Sequence, residues 1–426
     1  MSERTITSAL LGESCIHIAH PSGLSIYVCE KPDFSRTYAL FGTRYGSIDS
    51  RFKRASAPEF TDVPEGIAHF LEHKLFESED VGAFERYAKT GAQANAYTSF
   101  DRTCYLFGCS SRAEENLDIL LDFVSHPYFT QETVEKEQGI IGQEIRMYDD
   151  EPGWRVEFNL LRALYHNHPV RIDIAGTEET ISHITADLLY ECYNTFYNPS
   201  NMFLCVAGNI TAEQVLRSVE KNIVKTRPEE VVKGDYNEPE GIVKPYVEQE
   251  LVVSMPVFGV GFKEAAKDVT RRKKIAMDIL LELLAGDTSP FYQRMLEQGL
   301  INDQFGAEYF TGHGYEATLF VGESREPETV YRELLSELGR MREEGIDPER
   351  FERVRRKRYG RAIMFHYYDV ESIASELVEC AMNGYEVFGE AEIYRSLTLE
   401  DVSALLRGHF QEERSALSVI RPRAGE

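Results

Sequence analysis

Between about residues 226 and 245 the chain loses the apolar periodicity that runs through its other stretches. Pro228, Gly234, Pro239, Gly241 and Pro245 stand among charged residues, the composition of a linker. What flanks it reads as one unit used twice. On the first side a helix is followed by Gly82-Ala83-Phe84-Glu85-Arg86-Tyr87 running to Gly91; on the second a helix is followed by Ser289-Pro290-Phe291-Tyr292-Gln293-Arg294 running to Gly299. Further on, Thr130-Gln131-Glu132-Thr133-Val134 lines up with Asp347-Pro348-Glu349-Arg350-Phe351. A repeat of this length predicts two homologous domains, residues 1–225 and 246–426, on either side of the linker. Strands mixed with helices in each copy predict an α/β class protein built as two α+β sandwiches, each a mainly antiparallel sheet with helices packed on one face.

Charge narrows what such a chain does. Its 46 Lys and Arg stand against 71 Asp and Glu, a net charge of −25, which argues against a nucleic-acid binder, since that needs cationic surface to displace counterions from phosphates. At 42% hydrophobic the chain has enough apolar surface to bury a core. Seven scattered cysteines, an odd number without a CxxC, suit reduced and buried thiols in the cytoplasm better than a disulfide framework. The start Met1-Ser2-Glu3-Arg4-Thr5 lacks the pattern of a signal peptide, and no run of about 18 apolar residues predicts a membrane span.

The alternation in Leu24 to Cys29 and in Tyr38 to Gly42 predicts strands, and Pro64 to Phe76 predicts a helix with Pro64 in its first turn. A helix from Gly82 to Thr90, a strand over Ala94 to Phe107, and helices over Ala113 to Ser125 and Thr130 to Tyr148 follow. Then come a helix at Asp187 to Tyr197, a strand at Asn201 to Val206 and a helix at Thr211 to Lys221. Beyond the linker, Glu248 to Met255 reads as a strand and Thr270 to Leu284 as a helix.

The helix at 64–76 contains His69-Phe70-Leu71-Glu72-His73. Positions i and i+4 project from one helix face about 6 Å apart, so both imidazoles can reach one metal ion. Glu72, turned by roughly 100° from His73, can lie beside a water at that ion without binding it. The plainer alternative is an amphipathic helix with two half-exposed histidines. On the helix at 130–148, Val134, Glu137, Ile141, Glu144 and Tyr148 follow a 3-4-3-4 spacing and share one stripe, whereas Glu132 and Glu135 lie off it and read as solvated charge. Two carboxylates on an otherwise apolar stripe must be paired, protonated or bound to a cation if the stripe is buried; if it is only partly buried they face water.

Taken together, His69-x-x-Glu72-His73, Asn95-Ala96-Tyr97-Thr98-Ser99 and the pair Glu137 and Glu144 resemble the pitrilysin family of zinc peptidases, which includes insulin-degrading enzyme and the mitochondrial processing peptidase. The resemblance extends along the chain through Tyr197-Asn198-Pro199-Ser200-Asn201-Met202 and Val206-Ala207-Gly208, and looks like the zinc-bearing subunit of a paired two-domain bacterial type. It implies that His69, His73 and Glu144 bind Zn2+, that Glu72 activates water, and that Glu137 orients a histidine ligand. It also implies that Asn95, Ala96 and Tyr97 lie on a strand whose edge pairs with an extended peptide. The 71 residues from His73 to Glu144 are fewer than this family usually shows, and Asp149, Asp150 and Glu151 stand near as other carboxylates; the intact spacing from Glu137 favours Glu144.

The activity implied is that of a zinc endopeptidase, with Glu72 taking a proton from water and giving it to the leaving amine. The alternatives are a non-catalytic scaffold subunit of a peptidase-like complex and a hydrolase of non-peptide amides. Aligning Val134 with Phe351 places Val354 opposite Glu137 and Arg361 opposite Glu144, so the second copy lacks the ligand set. That favours a dimer with a homologous two-domain partner, a heterodimer before a homodimer. The resemblance implies an Arg and Tyr pair near the chain terminus of a bound peptide, for which Arg325 and Tyr331 are candidates beside the plainer reading of a solvated loop, and the net acidity predicts a bias towards basic peptides. Arg353, Arg355, Arg356, Lys357 and Arg358 read as an exposed helix face, His166 and His168 as structural residues of a loop, and Trp154 as the anchor of a loop after Pro152-Gly153.

Overall fold

In a computed structural model, which describes residues 1–223, 227–266 and 269–423 and only the backbone at 365–366, the strands fall into three sheets. The expected boundary at 225–226 lies outside the described residues. Strands β1 (Ser2–Ser8), β2 (Glu13–Ala19), β3 (Ser25–Glu30), β4 (Thr37–Thr43), β5 (Arg51–Arg54), β6 (Thr61–Asp62), β7 (Gln93–Thr98), β8 (Thr103–Cys109), β9 (Met202–Gly208) and β10 (Val231–Lys233) belong to the first compact unit. Strands β11 (Tyr246–Leu251), β12 (Val257–Lys263), β13 (Gly306–Gly312), β14 (Tyr315–Glu323) and β15 (Ser415–Pro422) belong to the second.

The helices are α1 (Ile67–Leu75), α2 (Ala83–Thr90), α3 (Ala113–Ser125), α4 (Gln131–Asp149), α5 (Pro152–Leu164), α6 (Glu178–Ser182), α7 (Ala186–Phe196) and α8 (Ala212–Asn222). They continue as α9 (Arg271–Ala285), α10 (Pro290–Glu297), α11 (Pro327–Glu344), α12 (Pro348–His366), α13 (Val370–Asn383), α14 (Glu390–Ser396) and α15 (Leu399–Gly408). None among the described residues is long and apolar enough to cross a membrane.

The two main sheets share one topology. In the first unit the order is β1-β2-β3-β9-β4-β8-β7, and in the second β11-β15-β12-β14-β13. Matching β3 to β11, β9 to β15 and β4 to β12 superimposes the orders, and the parallel pairs β3/β9 and β11/β15 correspond. Each sheet is otherwise antiparallel, the mixed α+β class expected.

The compact units are not the contiguous stretches 1–225 and 246–426. The chain crosses between them after Asp235, inside the expected linker, but unit 2 also takes residues 144–172, and unit 1 takes 362–389. The reason lies in the sheets, each of which has a second apolar face. In unit 1, α3 packs against β4 and β8 on one face, where Phe123 meets Tyr105 edge-on at 5.8 Å. On the opposite face Cys15, Cys29, Tyr38, Leu40, Cys104, Phe203 and Cys205 form one core with Val370, Ile373, Leu377 and Cys380 of α13. In unit 2 the corresponding helix is α5, packed against β11, β12 and β15. A Cβ at Gly261 would meet Leu164 at 2.7 Å, so glycine there lets the helix approach closely. Each half of the chain thus lends a helix to the sheet of the other.

Some local readings change. Pro152 and Gly153 start α5 and no loop, with Glu151 as N-cap and Pro152 in the first turn, so Trp154 sits on a helix. The stretch Ala94 to Phe107 is a hairpin, β7 and β8, and the N-terminal residues add β1 and β2. The linker carries β10, paired with β5. All seven cysteines are buried thiols.

Candidate metal centre

Helix α1 begins one residue after Glu65-Gly66, later than Pro64 suggests. Gly66 holds the N-cap at φ +88°, where a Cβ would lie 2.4 Å from the Ala175 carbonyl oxygen, so the position admits glycine alone. The helix is short and wrapped nearly all round: Ile67, Ala68, His69, Phe70, Leu71, Glu72, Lys74 and Leu75 are buried, and His73 is half-buried. Lys74, with no exposure, is held by Glu77 and by the Thr133 carbonyl at 3.3 Å, which ties α1 to the first turn of α4.

On α4 the stripe turns inwards: Val134, Glu137 and Ile141 are buried and Glu144 and Tyr148 half-buried, whereas Glu132 and Glu135 are exposed. The division into units falls within this helix, after Gln143. His73 Nδ1 donates to Glu137 Oε1 at 3.0 Å, which fixes the ring tautomer and leaves Nε2 to offer an electron pair. The His69 and His73 rings stand 4.6 Å apart at 61°. Donor atoms of His69, His73 and Glu144 all lie within 4.8 Å of one another, the one such group among the described residues.

This donor set fits zinc. Two imidazoles and a carboxylate form a catalytic type of coordination with a position left open, and donors sharing a tetrahedral ion at ~2.1 Å stand roughly 3.4 Å apart. Burial, with a smaller contribution from the nearby His73 ring, pushes the His69 imidazole down to about 3, so at neutral pH it is uncharged, the form in which an imidazole could offer an electron pair to a metal. Of the other carboxylates near Glu144, Asp149 pairs with Arg155 at 3.0 Å and Asp150 is exposed.

Glu72 accepts a hydrogen bond from Thr98 Oγ1 at 3.0 Å. Beyond it, the Tyr105 and Tyr197 hydroxyls lie 2.8 Å apart; burial raises both phenols, and the Glu72 carboxylate adds to the effect. Thr98 is a site residue that the sequence does not single out. Its signal is the strand alternation, which puts Thr98 and Tyr97 on opposite faces of β7.

That same alternation packs the Tyr97 ring against the core under α13, which leaves its backbone on the edge strand β7 with Asn95 and Ala96. Asn95 is exposed and accepts from the Ala96 N–H at 2.9 Å, and both lie on β7, the edge strand of the sheet. In unit 2, Tyr331 is bonded to Ser415 Oγ at 2.5 Å and Arg325 is exposed.

The basic run on α12 is not simply a solvated face: Arg355 Nη1 donates to the Tyr394 carbonyl at 2.7 Å, and Lys357 and Arg358 bind the buried Glu282 at 2.6 and 2.9 Å. An α9 carboxylate buried without countercharge would be costly, and α12 supplies two cations.

Residues 59–178 match the family described as insulinase (peptidase family M16), and residues 183–358 match the peptidase M16 inactive domain. Over 422 residues the chain is 40% identical to the uncharacterized zinc protease YmfH of Bacillus subtilis, covering 97% of this chain and 98% of that one. A second B. subtilis protein, uncharacterized zinc protease YmxG, is 35% identical over 167 residues, 38% of this chain and 41% of that one. Among solved structures, an M16-like peptidase from Alicyclobacillus acidocaldarius superimposes with a TM-score of 0.92 at 35% identity over 99% of both chains. A protease from Helicobacter pylori shares the fold, with a TM-score of 0.84 at 17% identity, over 96% of this chain and all of that one.

Proposed function

The chain belongs to the insulinase (M16) family of peptidases, and from that premise we propose that it is a zinc-dependent endopeptidase that processes peptides or proteins. The observation that carries the reading is the convergence of His69, His73 and Glu144 donor atoms within 4.8 Å, with Glu72 on the same short helix. Zinc, when bound, supplies a Lewis acid that acidifies water and polarises a carbonyl. Glu72, aligned by Thr98, takes the proton of the attacking water and returns it to the leaving amine. Glu137 holds His73 in the tautomer that presents Nε2. The open edge of β7, carrying Asn95 and Ala96, pairs with the backbone of an extended substrate and gives affinity with little side-chain selectivity.

Two further elements belong to this reading. Buried thiols suit the reducing cytoplasm. A donor set found once among the described residues suits work beside a homologous two-domain partner.

Glu72→Gln tests the assignment. The variant is expected to keep its zinc and to lose cleavage of a quenched peptide library by about 10²–10⁴-fold. Full activity in the variant sinks the role of Glu72. Wild-type protein that holds no zinc favours the scaffold reading, and zinc without peptide cleavage favours a hydrolase of other amides.

A further inference from the structure

Each ligand of the proposed centre depends on something to hold it. His73 has Glu137. Glu144 is the harder case, because its side chain has three rotatable bonds and it stands near the end of α4, where the helix has little length left. One turn further along, Tyr148 donates its hydroxyl proton to Glu144 Oε1 at 3.0 Å. The phenol is itself held. Its ring stacks on Trp154, with centroids 4.7 Å apart and planes at 21°, and Trp154 leans on Phe158 at 5.2 Å, which is fully buried in α5. The corner between the helices is fastened by the Asp149–Arg155 ion pair and by the cap of Glu151 on the Gly153 N–H. A path of packed rings thus runs from the interior of unit 2 to one oxygen of a metal-binding carboxylate.

We propose that Tyr148 is a positioning residue for the metal: its hydroxyl fixes one Glu144 oxygen, leaving the other as the ligand, and Trp154 fixes Tyr148. This rests on Glu144 being a zinc ligand. Without the hydroxyl, Glu144 loses the anchor on one of its oxygens, and the side-chain freedom it would then give up on meeting the ion opposes binding. Partners of this kind are worth about 10–100-fold in metal affinity.

The test is zinc affinity in the full chain, measured by competition with a chromophoric chelator, for wild type, Tyr148→Phe, Glu144→Gln and the double variant. Phenylalanine at 148 keeps the ring on Trp154 and removes only the hydroxyl, so the thermal midpoint and the emission of Trp154, the one tryptophan of the chain, should not move. Zinc affinity should fall about tenfold. The visible bands of the cobalt-substituted protein should shift, a change that loss of packing alone would not produce with the fold intact. In the Glu144→Gln background, Tyr148→Phe should cost nothing more, since the two act as one unit. Trp154→Leu, which keeps the hydroxyl but removes its support, should weaken zinc by a smaller factor. Affinity and cobalt bands unchanged in Tyr148→Phe, with Glu144→Gln impaired, overturn the proposal and spare the ligand assignment. Unchanged affinity in Glu144→Gln overturns both.

Discussion

Helices α1 and α4 of the first repeat correspond to α9 and α12 of the second, and the two pairs solve one electrostatic problem differently. The frames match closely: α4 and α12 are both 19 residues long, and α2 and α10 are both 8. Counting back from the ends of α1 and α9, Glu72 stands opposite Glu282, while His69 and His73 stand opposite Ile279 and Leu283, both buried. The carboxylate survives in both. In the second repeat it is neutralised from within the protein by Lys357 and Arg358 of α12. In the first, α4 brings two further carboxylates, Glu137 and Glu144, towards two imidazoles, an arrangement that gathers donors for a cation from outside. One scaffold therefore holds either a built-in salt bridge or a metal-type donor set, depending on which sign of charge the long helix carries.

The largest effect expected follows from treating the two repeats as independent. His73→Ala in the first should abolish stoichiometric zinc and activity, exceeding the ~10–100-fold that partners behind a ligand cost. Glu282→Ala in the second should leave zinc untouched and lower stability to urea by about 1–3 kcal/mol, the loss of charge-assisted bonds from a buried carboxylate to Lys357 and Arg358, moderated because both cations reach water. Metal content and unfolding midpoints of both variants check this. Zinc lost on Glu282→Ala would break the comparison.

Much of this contrast is legible in the amino-acid sequence. The His69-x-x-Glu72-His73 spacing and the stripe from Val134 to Tyr148 are local periodicities, and helix geometry alone relates such positions. Arg361 opposite Glu144 already marks the second repeat as different. What depends on partners distant along the chain is not legible there. Thr98 reaches Glu72 only because a hairpin folds β7 over α1, and the exchange of α5 and α13 follows from sheet faces that no contiguous stretch reveals. The basic run on α12 reads as solvated because its partner Glu282 lies about 75 residues earlier. Pro152-Gly153 reads as a loop because both residues are weak in helix interiors, yet at the first turn Pro is favoured.

A middle-sized effect sharpens the first side of the comparison. Glu137→Gln removes the charge that orients His73 without removing a ligand. Zinc should still bind, about 10–100-fold more weakly. Calorimetric titration of the metal-free protein checks it. An affinity equal to wild type would make Glu137 a bystander and leave the first repeat less distinct from the second, where Val354 stands at that position.

The smallest effect concerns histidine itself, which the first repeat gathers in the donor set on α1 and uses again, in the stretch 144–172 that it lends to unit 2, as a structural cap. His168, buried in unit 2, accepts from the Val170 N–H through Nδ1 at 3.1 Å and donates through Nε2 to the His313 carbonyl at 2.9 Å, so both nitrogens are used in the neutral form. Burial lowers its pKa from 6.5 to about 4. A depressed folded-state value means that the unfolded chain takes up the proton first. The stability His168 contributes is therefore complete above pH 6.5 and is lost as pH falls through about 4. His168→Asn keeps a cap for Val170 but cannot titrate, and loses the bond to His313. At pH 7 it should be about 1 kcal/mol less stable than wild type. Denaturant midpoints taken from pH 7 down to 4 should show that gap closing, because wild type and variant share their other histidines and differ only in the one at 168 that folding must keep neutral. A gap that stays constant or widens with acid means that His168 is protonated in the folded state, and its likeness to the uncharged His69 is then lost.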